Sequence, residues 1–172
     1  MIKLIAFDLD GVLVDSRELH YQALNMTLEE IEPSMLINRN EHLSTYDGRT
    51  TTEKLLLLTK HKGLREDRYQ EIWESKQEKT AILIQKMTQD EQKMDMLKAL
   101  KEKGYIIHVC SNSIKHSVKL MLLRKGLIEY VDEMFSNQDV QNPKPSPEMY
   151  MRSMLRAEVS PRETLVVEDS HV

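Results

Sequence analysis

The sequence predicts an α/β protein in which a parallel sheet forms the core and a helical segment follows the first strand. From residue 88 onward, short apolar segments alternate with segments of helical character. Residues 15–87 have helical character and contain no convincing strand. Because buried strands that alternate with helices are typical of parallel sheets, we predict a discontinuous α/β domain at 1–14 and 88–172, and a helical domain at 15–87.

Four short apolar segments are the predicted strands of the sheet. The first, KLIAFDL, is mostly apolar and is followed by turn-forming sequence at Gly11, which favours a short buried strand. The predicted strands are residues 3–9, 105–110, 133–136 and 164–169.

The segments between these strands are predicted helices. Gly63, Gly104 and Gly126 each follow such a segment, at the position where helices commonly end on glycine. The polar residues 111–113 suit the N-terminal cap of a helix. The predicted helices are residues 17–31, 48–63, 65–87, 93–104, 111–126 and 145–155.

Composition and charge exclude several classes of protein. The formal net charge of -4 argues against a nucleic-acid surface, which needs a basic stripe. No apolar stretch approaches the roughly 20 residues that cross a bilayer, and Asp8 interrupts the N-terminal apolar run, unlike a signal peptide. The single cysteine, Cys110, fits a reducing compartment and is expected to fill a buried strand position. We therefore expect a cytoplasmic protein without nucleic-acid or membrane partners.

Asp8 and Asp10 stand at the end of the first predicted strand, directly before Gly11. Two neighbouring carboxylates are favourable if a cation such as Mg2+ lies between them, since this ion prefers oxygen ligands. They are also favourable if one carboxylate is a nucleophile and the other a proton donor. A solvated acidic turn is the alternative interpretation.

Three further polar clusters lie near the ends of predicted strands. One is Ser111, Asn112 and Ser113, which open a predicted helix; N–H groups there can bind phosphate, although a plain helix cap is commoner. Lys144 lies between two prolines and could neutralise a phosphate, although surface lysines are common. Glu168 and Asp169 belong either to a metal site or to another acidic turn. Because ligands of parallel sheets bind at the carboxyl ends of strands, we predict one shared site.

Four segments of the chain resemble, in order, the four motifs of the haloacid dehalogenase (HAD) superfamily. They are FDLDGVLVDS, VCSNS, NPKPSPEMY and LVVEDS, and the resemblance runs from residue 3 to 170. The resemblance, to the beta-phosphoglucomutase and phosphatase-like subgroup, implies a parallel-sheet Rossmann-like HAD core with an inserted all-helical cap. It also implies a Mg2+-dependent phosphatase that acts on a small phosphorylated metabolite, such as a sugar phosphate, through an aspartyl-phosphate. Family members usually continue beyond the fourth motif, so the chain is expected to be short at its C-terminal end.

The resemblance also implies catalytic roles for residues of the motifs. Asp8 would be the nucleophile, and Asp10 would protonate the leaving oxygen and then activate water. Ser111 and the N–H of Asn112 would hold phosphoryl oxygens. Lys144 would balance the charge on Asp8 and the phosphoryl group.

The resemblance further implies a metal site and a substrate-binding set. Mg2+ would be held by the residues Asp8, Asp10 (through its backbone carbonyl), Asp169 and Glu168, the last as a ligand or as a partner of the ligands. Within the cap, His20, Arg49 and Lys76 fall where sugar-phosphate enzymes of this family place substrate-contacting residues. A packed helix residue and two solvated charges are the alternatives for these three.

Three other functions stay open at this point. A phosphosugar mutase of the beta-phosphoglucomutase type would use the same aspartyl-phosphate. A receiver-like signalling domain would need an aspartate after a middle strand, where this chain has Ser111, and it would have no helical insertion. A non-catalytic phosphate-binding protein is the third. The identity of the substrate and the oligomeric state also stay open.

Overall fold

A computed structural model describes residues 1–169 of the chain, so Ser170 of the fourth motif lies outside the described residues. The chain divides into two compact units. One combines Met1–Asp15 with the segment from Met87 onward, and the other is Ser16–Lys86. Among the described residues, no helix is both long and apolar enough to span a membrane.

The first unit is built on a parallel sheet with the strand order β3-β2-β1-β4. The described strands are β1 (Leu4–Asp8), β2 (Ile106–Cys110), β3 (Glu133–Phe135) and β4 (Thr164–Val167). All five residues of β1 are buried, because this strand is hydrogen-bonded on both sides. Each strand lies within a segment for which the sequence predicts one. The predicted α/β fold class with a parallel sheet is confirmed.

The second unit, Ser16–Lys86, contains helices and no strand among its residues. Its helices are α1 (Arg17–Ile31), α2 (Arg39–Glu41), α3 (Thr51–Lys62) and α4 (Tyr69–Ile84), with short helical turns at Pro33–Met35, His42–Tyr46 and Glu66–Arg68. The predicted all-helical insertion is therefore confirmed as part of the fold.

The second unit has its own apolar core, and its helix α3 is capped at both ends. Leu24 and Leu28 of α1 and Ile72 of α4 belong to one buried cluster. Thr50 caps α3, since its hydroxyl accepts a hydrogen bond from the backbone N–H of Glu53 at 3.2 Å. Gly63 ends α3 with a φ of 77°, a conformation that glycine adopts without steric cost. The predicted helix start at residue 48 is two residues before this cap.

Three further helices belong to the sheet unit: α5 (Glu91–Glu102), α6 (Lys115–Lys125) and α7 (Glu148–Arg156). Gly126 ends α6, as predicted. The predicted cap at 111–113 is wrong, because Ile114 is the N-cap residue of α6 and makes no side-chain cap. The polar side chains that suggested a cap make other contacts, which are described with the site.

His108 is a buried histidine in β2. Its Nδ1 atom lies 2.9 Å from the hydroxyl oxygen of Ser153 in α7. Burial lowers the pKa of His108 below its ordinary value of 6.5, although the carboxylates of Asp132 and Glu133 oppose this shift. The sheet unit is therefore most stable when His108 is neutral.

We predict that the free energy of unfolding falls as the pH decreases through 6.5, because the unfolded chain then binds a proton at His108 that the folded chain does not. This loss continues until the pH reaches the lowered pKa of the folded state. Urea unfolding of wild type and of His108→Gln at about pH 7.5 and 5.5 measures this loss of unfolding free energy. The variant should lose less, since it lacks the titrating group. Equal losses of stability in the two proteins would contradict the prediction.

Candidate active site

The ends of three neighbouring strands bring the predicted site residues together. In the sheet register, Asp8 of β1 pairs with Cys110 of β2, and Phe7 pairs with Val167 of β4. Ser111 and Glu168 directly follow these partners in the sequence. The carboxyl ends of β2, β1 and β4 therefore place polar groups on both sides of Asp8.

Asp8 is a buried carboxyl group in contact with a buried ammonium group. Its side chain is 8% exposed, and its Oδ1 atom lies 2.7 Å from Nζ of Lys144. The backbone N–H of Leu9 donates a hydrogen bond to the same oxygen at 2.6 Å. Burial raises the pKa of Asp8 to about 8, against the opposing charge of Lys144. A further cation would stabilise the charged form that a nucleophile needs.

Lys144 is held at both its backbone and its side chain. The Asn112 side chain donates to the backbone carbonyl of Lys144 and accepts from its backbone N–H, each at 2.9 Å. The ammonium group lies 2.7 Å from both Asp8 Oδ1 and Glu168 Oε1. Burial alone lowers the pKa of Lys144, but its interactions with these carboxylates raise it overall. Lys144 is therefore a charged group shared between two carboxylates.

Asp10 contacts the loop after β2 through its side chain. The hydroxyl groups of Ser111 and Ser113 donate hydrogen bonds to Asp10 Oδ2, at 2.8 and 3.2 Å. The N–H of Ser113 in turn donates to the Ser111 hydroxyl at 2.9 Å. In this structure the Ser111 hydroxyl therefore positions Asp10, and its role in binding a phosphoryl group stays a prediction.

Three carboxyl groups could together hold a metal ion. Asp8, Glu168 and Asp169 each offer an oxygen, and these oxygens lie within 4.8 Å of one another. Gly11 leaves the space for this arrangement, because a Cβ atom at that position would overlap the Asp169 carboxylate. The Lys144 ammonium group contacts two members of this group, Asp8 and Glu168. The set of carboxylate oxygens fits a hard divalent cation such as Mg2+.

Three residues of the site have functions in the structure that the sequence analysis missed. The sequence predicts Ser113 as part of a phosphate site or a helix cap, whereas its hydroxyl contacts Asp10. The side-chain amide of Asn112 holds the Lys144 loop. Tyr150 of α7 donates from its hydroxyl to Glu168 Oε1 at 3.2 Å, and burial raises the pKa of that hydroxyl, which keeps it a donor. In the sequence, Tyr150 could have been noticed because it is the aromatic residue that ends the motif NPKPSPEMY.

The three other predicted substrate-binding residues belong to the second unit. Arg49 is exposed, and its Nε atom donates to the backbone carbonyl of Thr45 at 2.9 Å. His20 is half-buried in α1. Lys76 in α4 is only 4% exposed, so it is not the solvated charge that was the alternative interpretation. Their part in substrate binding stays a prediction.

Known proteins are similar to the chain in sequence and in fold. Pyrophosphatase PpaX of Bacillus pumilus (strain SAFR-032) is 25% identical over 170 residues, which are 99% of this chain and 76% of the relative. A crystal structure of CbbY from Rhodobacter sphaeroides in complex with xylulose-(1,5)bisphosphate has a TM-score of 0.89 at 22% identity, over 99% of this chain and 79% of that one.

A second structural relative has the same fold. Beta-phosphoglucomutase from Clostridium difficile gives a TM-score of 0.83 at 23% identity, over 99% of this chain and 77% of that one. At this level of identity, the structural likeness establishes the fold. The sequence model of haloacid dehalogenase-like hydrolases matches residues 5–172, nearly the whole chain. With its parallel sheet, its helical insertion and its four motifs in order, the chain belongs to the haloacid dehalogenase-like hydrolase family.

Proposed function

We propose that the chain is a Mg2+-dependent phosphatase that hydrolyses a small phosphorylated metabolite, such as a sugar phosphate, through an aspartyl-phosphate on Asp8. The buried contact of Lys144 with Asp8 carries this proposal, because it places a carboxylate nucleophile beside a fixed positive charge. The relatives support the substrate class. One is named a pyrophosphatase, and another holds a sugar bisphosphate in its crystal structure.

In the first step, a carboxylate oxygen of Asp8 forms a bond to phosphorus while the bond from phosphorus to the leaving oxygen breaks. Asp10 donates its proton to that leaving oxygen, which departs as an alcohol or an acid. Lys144 stays within contact of Asp8 and balances negative charge on the reacting groups. This charge balance matters because phosphoryl transfer depends mostly on positioning and electrostatic stabilisation.

In the second step, Asp10 removes a proton from a water molecule whose oxygen bonds to phosphorus. The bond between phosphorus and Asp8 breaks, which releases inorganic phosphate and regenerates the Asp8 carboxylate. Asp10 is suited to both steps because Ser111 and Ser113 fix its side chain through Oδ2. We propose that, when a phosphoryl group binds, the Ser111 hydroxyl turns from Asp10 to donate to a phosphoryl oxygen. The Asn112 N–H donates to another phosphoryl oxygen, and Ser113 keeps Asp10 in place.

The metal ligands proposed for this site are Asp8, the backbone carbonyl of Asp10, Glu168 and Asp169. A bound Mg2+ would neutralise part of the charge that the Asp8 carboxylate and an anionic phosphate share. The proximity of the side-chain oxygens and the space at Gly11 support this assignment. We also propose that His20, Arg49 and Lys76 select the substrate, which rests on the resemblance of their positions to those of sugar-phosphate enzymes.

We expect phosphate release that requires Mg2+ and falls by at least about 1,000-fold in Asp8→Asn, because an amide cannot serve as the nucleophile. Phosphate is measured after incubation with sugar phosphates, nucleotides, an aryl phosphate and inorganic pyrophosphate, each with Mg2+ and with EDTA. Asp95→Asn, an exposed position in α5, is the matched control and should keep wild-type activity.

Each outcome of this panel has a definite meaning. Activity that survives EDTA, or that Asp8→Asn retains, would contradict the proposed mechanism. Isomerisation of a sugar phosphate without net release of phosphate would indicate a mutase. Folded protein that binds Mg2+ but converts no compound of the panel would count against a phosphatase of small metabolites.

The space at Gly11 gives a second prediction. Gly11→Ala should weaken Mg2+ binding by at least about tenfold, because the added Cβ displaces the Asp169 carboxylate from the metal group. Isothermal titration calorimetry with Mg2+ measures the change directly. Gly104→Ala is the matched control, because Gly104 also has a positive φ, of 82°, but apart from its chain neighbours no heavy atom of residues 1–169 lies within 4 Å of the added Cβ.

The comparison separates backbone strain from displacement of the carboxylate. Both variants place alanine at a positive φ, so both should lose some stability. Only Gly11→Ala should lose affinity for Mg2+. Equal Mg2+ affinity in Gly11→Ala and Gly104→Ala would show that Asp169 does not hold the ion.

A further inference from the structure

Tyr150 is half-buried and packs against an apolar cluster of the sheet unit next to the site. It lies in the first turn of α7, and its ring packs against the buried cluster of Ala6, Cys110 and Met149. These residues come from β1, β2 and α7, so three elements fix the position of the ring. A rigid aromatic side chain with a polar end can hold a neighbouring polar group at a defined place.

The Tyr150 hydroxyl reaches the carboxylate that neighbours the Lys144 ammonium group. It donates to Glu168 Oε1 at 3.2 Å, and Lys144 Nζ lies 2.7 Å from the same oxygen. The other oxygen, Oε2, accepts from the backbone N–H of Asp169 at 3.1 Å. Both oxygens of Glu168 are therefore held by named donors.

The ring of Tyr150 also faces the cation of the site. Lys144 Nζ lies 5.8 Å from the ring centroid, within the range at which an aromatic ring attracts an ammonium group. Tyr150 thus contacts the Lys144–Glu168 pair in two ways, through its hydroxyl and through its ring. The two contacts can be separated by substitution, because phenylalanine keeps the ring and loses the hydroxyl.

We propose that Tyr150 is a positioning residue. Its hydroxyl orients the Glu168 carboxylate, so that this carboxylate directs the Lys144 ammonium group at Asp8 and stays beside Asp169 for the metal. The inference rests on the proposed function, since it assumes that these groups bind Mg2+ and transfer phosphate. Tyr150 itself acts through Glu168 and needs no contact with the substrate. Mutation of the groups that orient metal ligands typically costs about 10- to 100-fold in metal affinity or activity.

Tyr150→Phe in the full chain tests the proposal. Removing the hydroxyl should raise the Mg2+ dissociation constant about tenfold in calorimetry, because Glu168 loses a fixed donor. At saturating Mg2+, kcat for an aryl phosphate should fall about tenfold while KM changes less than about twofold, since the hydroxyl does not touch substrate. Tyr130→Phe is the matched control, because Tyr130 precedes β3 at the opposite end of the sheet.

A second variant separates the hydroxyl from the ring. Tyr150→Leu removes both, and it should match Tyr150→Phe in Mg2+ affinity while it has the lower melting temperature. If Tyr150→Phe binds Mg2+ like wild type, the proposal is overturned, and this holds whether or not Tyr150→Leu folds. If wild type binds Mg2+ but releases no phosphate, the proposed function fails, while the Mg2+ measurement still decides the role of Tyr150.

Discussion

The buried ion pair of Lys144 and Asp8 is the interaction on which the rest of the site depends. Both side chains are at most 10% exposed, so each charge has lost most of its contact with water. Burial of a charge is costly, and removal of Lys144 would take from Asp8 its ammonium partner, whereas Lys144 also contacts Glu168. The surrounding groups must therefore hold Lys144 in place. Asn112 does this at the backbone, and Glu168 does it at the ammonium group.

The cluster of carboxyl groups beside the Lys144 ammonium group gives the site its chemical character. Asp8, Glu168 and Asp169 bring their oxygens close together, although like charges at such distances repel. An anionic phosphate would add to that repulsion. In the proposed mechanism, a divalent cation would relieve this repulsion and let the nucleophile and the phosphate approach each other. Phosphoryl transfer depends mostly on such charge compensation and on positioning.

The parallel sheet explains why distant segments can form one site. Strand order β3-β2-β1-β4 places β1 between the strands that precede Ser111 and Glu168. Since parallel strands end on the same side, loops separated by more than 100 residues in the sequence meet beside Asp8. Much of this was predictable, because apolar runs mark the strands and the polar clusters follow them. The start of α6 was not, because hydroxyl groups that resemble a helix cap can equally bond a distant carboxylate.

The sequence by itself determined the fold class, the helical insertion and the family, because these depend on local apolar periodicity and on short motifs in a definite order. It also identified Asp8, Asp10, Lys144, Glu168 and Asp169 as candidates. Only the tertiary structure decided which donor meets which acceptor. The Asn112 side chain binds the backbone of Lys144. The hydroxyl of Ser113 contacts Asp10, and that of Tyr150 contacts Glu168. Such pairings depend on distances and side-chain directions between elements far apart in the chain, and no local pattern encodes them.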